Sequence, residues 1–119
     1  MSRNSRNQKN IELDRVIHEP SRLQIISYLA AGGSEVSFTE LIEKLGLSAG
    51  NLSVQLKRLE ENDYVSISKS FKDNRPLTTV SLTLRGMEAL KQYLQELEFI
   101  IDRLKDAVPP PVPGKEKKA

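Results

Sequence analysis

Between residues 34 and 65 the apolar positions fall into two short helical stripes separated by a break. Leu41, Ile42 and Leu45 form the first stripe, and Leu52, Leu56 and Leu59, at i, i+4 and i+7, form the second. Ser37 with Glu40 three residues on is a capping-box signal, which starts the first helix at about 38 and carries it to 45. Gly46 suits the left-handed residue of a turn, and Ser48 suits the cap of a second helix that reaches about residue 62. The face of that helix opposite its leucines carries Gly50, Asn51, Val54, Lys57 and Arg58.

The period changes on either side of this pair. From 64 to 83, Val65, Ile67, Lys69 and Phe71 alternate with serines, and Val80 and Leu82 alternate with Thr79, Ser81 and Thr83. Both runs have strand period, and the polar cluster from Lys72 to Pro76 supplies a turn, so a β-hairpin with a basic tip is expected. Such a hairpin is marginal alone and must lean on the helices through Val65, Ile67, Val80 and Leu82. Upstream, Leu13, Val16 and Ile17 fit a short helix over 10–19. Leu23, Ile26, Leu29 and Ala30, widened by Ile25 and Tyr28, fit another over 21–31 that stops at Gly32-Gly33. Residues 36–37 suit a very short strand. Downstream, Thr83 caps a long helix running to about 106. Its Met87, Leu90, Leu94, Leu97, Ile101, Leu104 and Val108 keep a 3-4 spacing over three heptads, with Tyr93 and Ile100 beside them. A domain this small cannot cover so long a stripe. Its first turns pack on the body, and the distal part calls for a second subunit.

Two helices joined by a tight turn, the second small at its start and basic towards its end, constitute a helix-turn-helix pattern. Its early residues suit base edges and its later ones suit phosphates. An ordinary helical hairpin with a solvated face has the same pattern, and the basic hairpin that follows favours the DNA-binding reading.

The chain has 119 residues, enough for one modest core. It has no cysteine and one histidine, which excludes disulfides and metal sites built on thiolates or several imidazoles. His18 has no nucleophile or second imidazole near it in sequence and reads as structural. There is no phosphate-binding glycine loop and no nucleophilic pair, so no catalytic activity and no cofactor are expected. No membrane-length apolar run and no signal-peptide pattern occur, and a cytoplasmic protein is expected. The net charge is +2. Setting aside Arg3, Arg6 and Lys9 at the start and Lys115, Glu116, Lys117 and Lys118 at the end leaves 12 Lys/Arg against 15 Asp/Glu over 10–106. A nucleic-acid surface on this body must therefore be a local patch.

The order helix, helix, helix-turn-helix, basic hairpin, long helix resembles the winged-helix transcriptional regulators of the MarR and ArsR type, in particular a short single-domain group. The residues carrying the resemblance are Pro20-Ser21-Arg22-Leu23, Phe38 with Leu41, Leu47-Ser48, Gly50-Asn51-Leu52-Ser53, Leu56-Lys57 with Leu59-Glu60, and Leu82-Thr83 with Gly86. The implied fold is mainly α with a small β-hairpin wing. A winged helix-turn-helix domain would span 10–83 and a dimerisation helix 84–108, between a disordered basic arm (1–9) and a disordered Pro/Lys tail (109–119). The resemblance assigns Ser48, Asn51, Ser53, Lys57 and Arg58 to the recognition helix. It assigns Lys69, Lys72 and Arg75 to the wing, while Gly50 allows close approach to DNA and Val54 shares the exposed face. The dimer interface is expected on Leu90, Leu94, Leu97, Ile101 and Leu104, joined by Leu13 and Ile17. The implied function is regulation of transcription by a homodimer bound to an inverted-repeat duplex; the alternative is a winged helix that contacts protein or RNA only. Such folds have room for a small-molecule effector between dimer helix and wing, and no residue here identifies one. Asp63 stands where these regulators usually have glycine, and the Cys and His ligands of metal-sensing members are absent.

Overall fold

The computed structural model describes residues 11–33, 35–107 and 109–115. Helix α1 is Pro20–Gly32, strand β1 is Glu35–Ser37, and helices α2 and α3 are Phe38–Leu45 and Ala49–Glu61. Strands β2 (Val65–Lys72) and β3 (Arg75–Leu82) follow, and helix α4 is Leu84–Ala107. The sheet is antiparallel in the order β1-β3-β2, so the short first strand covers one edge of β3 near the body and leaves the outer hairpin free.

Each boundary has a local cause. Glu19 caps α1 by accepting from the Arg22 amide at 2.8 Å, and Pro20 occupies a first-turn position where its missing N–H costs nothing. Ser37 Oγ caps α2 by accepting from the Glu40 amide at 3.0 Å, and Gly46, at φ 71°, ends it in the left-handed region. The Glu40 carboxylate accepts from the Tyr28 hydroxyl at 2.5 Å, which ties α2 to α1 and pushes the phenol pKa up. Asp63 takes φ 62° after α3, the strained geometry that glycine usually supplies there. Thr83 Oγ1 caps α4 through the Gly86 amide at 2.9 Å and donates to the Asp63 carbonyl at 2.6 Å, so one side chain fixes both ends of the hairpin.

The core lies where α1, α2 and α3 meet the sheet and the start of α4. Ile25, Ile26, Leu29, Leu41, Leu52 and Leu59 are almost fully buried, joined by Val65 and Val80 from the hairpin and Leu90 and Tyr93 from α4. Ile67 and Leu82 pack against this cluster from partly exposed positions, as the strand alternation requires. Gly86 is needed for close approach. A Cβ there would sit 2.2 Å from the Tyr64 carbonyl oxygen and 2.8 Å from Leu82 Cδ1, so α4 can lie on the base of the hairpin only without a side chain at 86.

The short helix expected over 10–19 is not formed in its described part. Residues 15–17 make a turn instead. Asp14 accounts for this: its Oδ1 accepts from the Val16 amide at 2.8 Å and the Ile17 amide at 3.2 Å, an Asx turn that competes with helix propagation. Asp14 Oδ2 also accepts from the Tyr64 hydroxyl at 2.5 Å, locking the segment to the base of the wing. Burial and this hydrogen bond push the Tyr64 pKa up to about 12. Ile17, expected at a dimer interface, is fully buried in the chain's own core, and Leu90 is 5% exposed. Neither offers surface to a partner, because the turn folds Ile17 inward and the first turns of α4 lie on the body. His18, expected to be structural, has its Nδ1 2.7 Å from the Tyr93 hydroxyl. Residues 1–9, Val108 and the last four residues of the tail lie outside the described residues; 109–115 are exposed and without regular structure.

Candidate nucleic-acid interface

Helix α3 is presented by its leucines. Leu52, Leu56 and Leu59 are buried, which turns Gly50, Asn51, Ser53, Val54, Lys57 and Arg58 outward, all exposed. Ser48 Oγ accepts from the Asn51 amide at 3.0 Å, so Ser48 starts the helix at the end where the small residues lie. Val54 is 63% exposed, a cost in water unless a ligand covers it. Lys57 and Arg58 lie towards the C-terminal end of the helix, where Glu60 and Glu61 follow them and bound the positive stretch.

The wing is a two-residue hairpin. Asp73 (φ 53°) and Asn74 (φ 64°) both lie in the left-handed region, as a type I′ turn demands, and Lys72 pairs with Arg75 across it. The strands therefore run closer to the tip than the expected turn cluster allowed, and Pro76 lies inside β3. It is tolerated because the pair next to a two-residue loop is the hydrogen-bonded one, so Pro76 opposite Phe71 occupies a non-bonded position. Strand alternation divides the wing cations. Lys69, opposite Thr78, continues the face of Val65 and Ile67, while Lys72 and Arg75 project from the other face at the tip.

Lys69 and Thr78 from the wing meet Ser53 and Lys57 from α3 around a cleft of about 390 Å³. Helix α3 and the inner face of the wing are thus one continuous surface. All ten residues singled out in the sequence for DNA contact are exposed, with Lys72 and Arg75 set apart at the wing tip.

Sequence reasoning missed three features. Phe71 is 74% exposed on the inner face of the wing, paired with Pro76; the alternation placed it on that face without showing that the body ends before it. Arg22, part of the motif that suggested the family, reaches from α1 to the recognition helix, where its Nη1 donates to Gln55 Oε1 at 2.7 Å. Gln55 in turn donates to Asn51 Oδ1 at 3.0 Å. The four-residue spacing of Asn51 and Gln55 was a readable signal for the second contact.

Among the described residues no cluster of three or more His, Cys, Asp or Glu is placed to hold a metal ion, and no helix is long and apolar enough to cross a membrane.

The sequence profile of the winged helix DNA-binding domain family matches residues 21–101. An uncharacterized protein of Methanocaldococcus jannaschii is 35% identical over 83 residues, spanning 70% of this chain and 89% of the relative. A transcriptional regulator homologue from Pyrococcus horikoshii superposes with a TM-score of 0.71 at 32% identity, over 87% of this chain and 98% of the other. The structure of diamide-treated YodB from Bacillus subtilis superposes with a TM-score of 0.61 at 26% identity, over 74% of this chain and 84% of that one. With helix-turn-helix, wing and long final helix all in place, the chain belongs to the winged helix DNA-binding domain family and is a MarR-like transcription regulator.

Proposed function

We propose that this regulator binds an inverted-repeat duplex site as a homodimer, by binding alone and without catalysis. Helix α3 enters the major groove, with Asn51 reading a base edge and Gly50, Ser53 and Val54 lying against the groove floor and walls. Ser48, Lys57 and Arg58 hold the backbone beside it. Lys69 holds a phosphate next to the helix, and Lys72 and Arg75 reach the adjoining minor groove or its backbone from the wing tip. The observation that carries this reading is the single exposed surface made by α3 and the wing, which meet at the Ser53, Lys57, Lys69 and Thr78 cleft.

The partner subunit is proposed to cover the distal half of α4. Leu94, Ile101 and Leu104 are 49%, 45% and 55% exposed there, while Leu97 and Leu13 are partly buried and pack against the chain's own core. Covering three half-exposed seam side chains on each of two subunits stabilises the pair by roughly 5–9 kcal/mol. Association costs about 4–15 kcal/mol, so the dimer has little to spare and each seam residue matters. Two-fold symmetry then sets two recognition helices about one DNA turn apart, roughly 34 Å.

Selection of bound duplexes from a random pool, at low and at moderate salt, tests the function. The expected product is an inverted repeat whose half-sites lie one turn apart. Changing Lys72 or Arg75 to Ala should weaken all duplexes alike and flatten the salt dependence. Retention of RNA with no enriched duplex, or unaltered duplex binding after Lys57, Arg58 and Arg75 are all changed to Glu, would exclude the proposed surface.

A further inference from the structure

Arg22, Gln55 and Asn51 form a chain of side-chain hydrogen bonds that begins in the body and ends on the outer face of α3. Arg22 Nε donates to the Val16 carbonyl at 2.6 Å, and Nη1 donates to Gln55 Oε1 at 2.7 Å. Gln55 Nε2 then donates to Asn51 Oδ1 at 3.0 Å. The Val16 anchor lies in the turn that Asp14 holds, so the guanidinium has a fixed seat. Arg22 and Gln55 are half-buried while Asn51 is exposed, which shields the relay and leaves its end open.

The direction of every bond in this chain follows from its first member. A guanidinium has only donors. Gln55 must turn its oxygen towards Arg22 and its NH₂ towards Asn51, and Asn51 must answer with its own oxygen. The Asn51 NH₂ is left facing outward. An unrestrained asparagine reads adenine with both groups at once, donating to N7 and accepting from N6. In this chain one lone pair of the oxygen is already taken, and the amide plane is set by Gln55.

We infer that Arg22 and Gln55 are positioning residues that fix Asn51 as a hydrogen-bond donor. The base it meets is then read for an acceptor, guanine O6 or N7, adenine N7 or thymine O4, in preference to cytosine, whose major-groove edge offers only a donor. This rests on the proposed role of α3 as the base-reading helix.

Gln55→Glu tests it. A carboxylate has only acceptors, so it keeps the Arg22 contact but presents oxygen to Asn51, which must turn its NH₂ inward and its oxygen outward. Duplex selection with the full chain should show the wild type disfavouring cytosine at one position of each half-site. Gln55→Glu should shift that position roughly tenfold from guanine or thymine towards cytosine, within what one base-edge contact supplies, with the other positions unchanged. Asn51→Ala should relax the same position. Gln55→Ala and Arg22→Ala, which add no charge, should broaden it too, and they provide the readout if Gln55→Glu does not fold by thermal melting. Cytosine preferred by the wild type, or an unchanged base preference in Gln55→Glu or Gln55→Ala, would overturn the relay while leaving α3 as the reader. An Asn51→Ala chain with the wild-type motif intact would remove the base-reading role itself, and the relay with it.

Discussion

The two halves of α4 share one apolar repeat and have opposite fates. In the first half the body covers the stripe: Leu90 and Tyr93 are buried, and Gly86 lets the helix lie against the Tyr64 carbonyl. Further on the same spacing continues through Leu94, Ile101 and Leu104, each about half exposed, with Leu97 still packed against the core and no cover from the body beyond it. A heptad seam thus reports that something apolar must cover a helix face without saying what. Where the domain's own core reaches the seam, the contact is part of folding; where it does not, the proposed dimer supplies the cover. Substitutions in the two halves should therefore fail in different ways.

The largest effect is expected from Ile101→Glu with Leu104→Glu, the two exposed seam residues farthest along α4. Carboxylates in the distal seam should give a folded monomer by sedimentation, with most helical signal kept and inverted-repeat binding lost, since a single recognition helix and wing offers too few contacts for tight specific binding. In the proximal half, Leu90→Ala should lower the unfolding free energy by about 2–5 kcal/mol, measured by urea titration, through the cavity it leaves. Gly86→Ala should lower it by about 1–3 kcal/mol, because the new methyl can be seated only by shifting α4 away from the hairpin. If either proximal change left stability intact and removed only dimerisation, the division of α4 would be misplaced.

The smallest effect concerns the polar clasp beside the proximal half. Tyr64 has its pKa raised from 10.0 to about 12, so the folded state holds the phenolic proton more tightly than the unfolded chain. Its contribution to stability is fully present below about pH 10 and fades as pH rises towards 12. Tyr64→Phe should reduce the loss of thermal stability over that window without abolishing it. Tyr28 and Tyr93 also have raised pKa values, the first chiefly through Glu40 and the second through burial.

Most of this architecture was legible because local and global signals agreed. Ser37, Gly46 and Ser48 bound the helix-turn-helix as caps and turn, and the alternation at Val65–Ile67 and Val80–Leu82 placed the wing against the core. The N-terminal segment misled because Leu13, Val16 and Ile17 fit a helical stripe, while the structure is decided by Asp14, whose carboxylate bonds the backbone of its own neighbours and reaches Tyr64 fifty residues away. Helical period cannot register a side chain that competes with the helix. The Arg22–Gln55–Asn51 relay was hidden for a related reason: its first contact joins α1 to α3, and no spacing in the sequence records which residues two packed helices bring together.

Sedimentation of the full chain at micromolar concentration, alone and on the selected duplex, tests the central claim most directly. The account predicts a species of twice the 13.4 kDa chain mass in free solution and two chains per inverted-repeat duplex. A wild-type protein that sediments as a single chain in both conditions would contradict it.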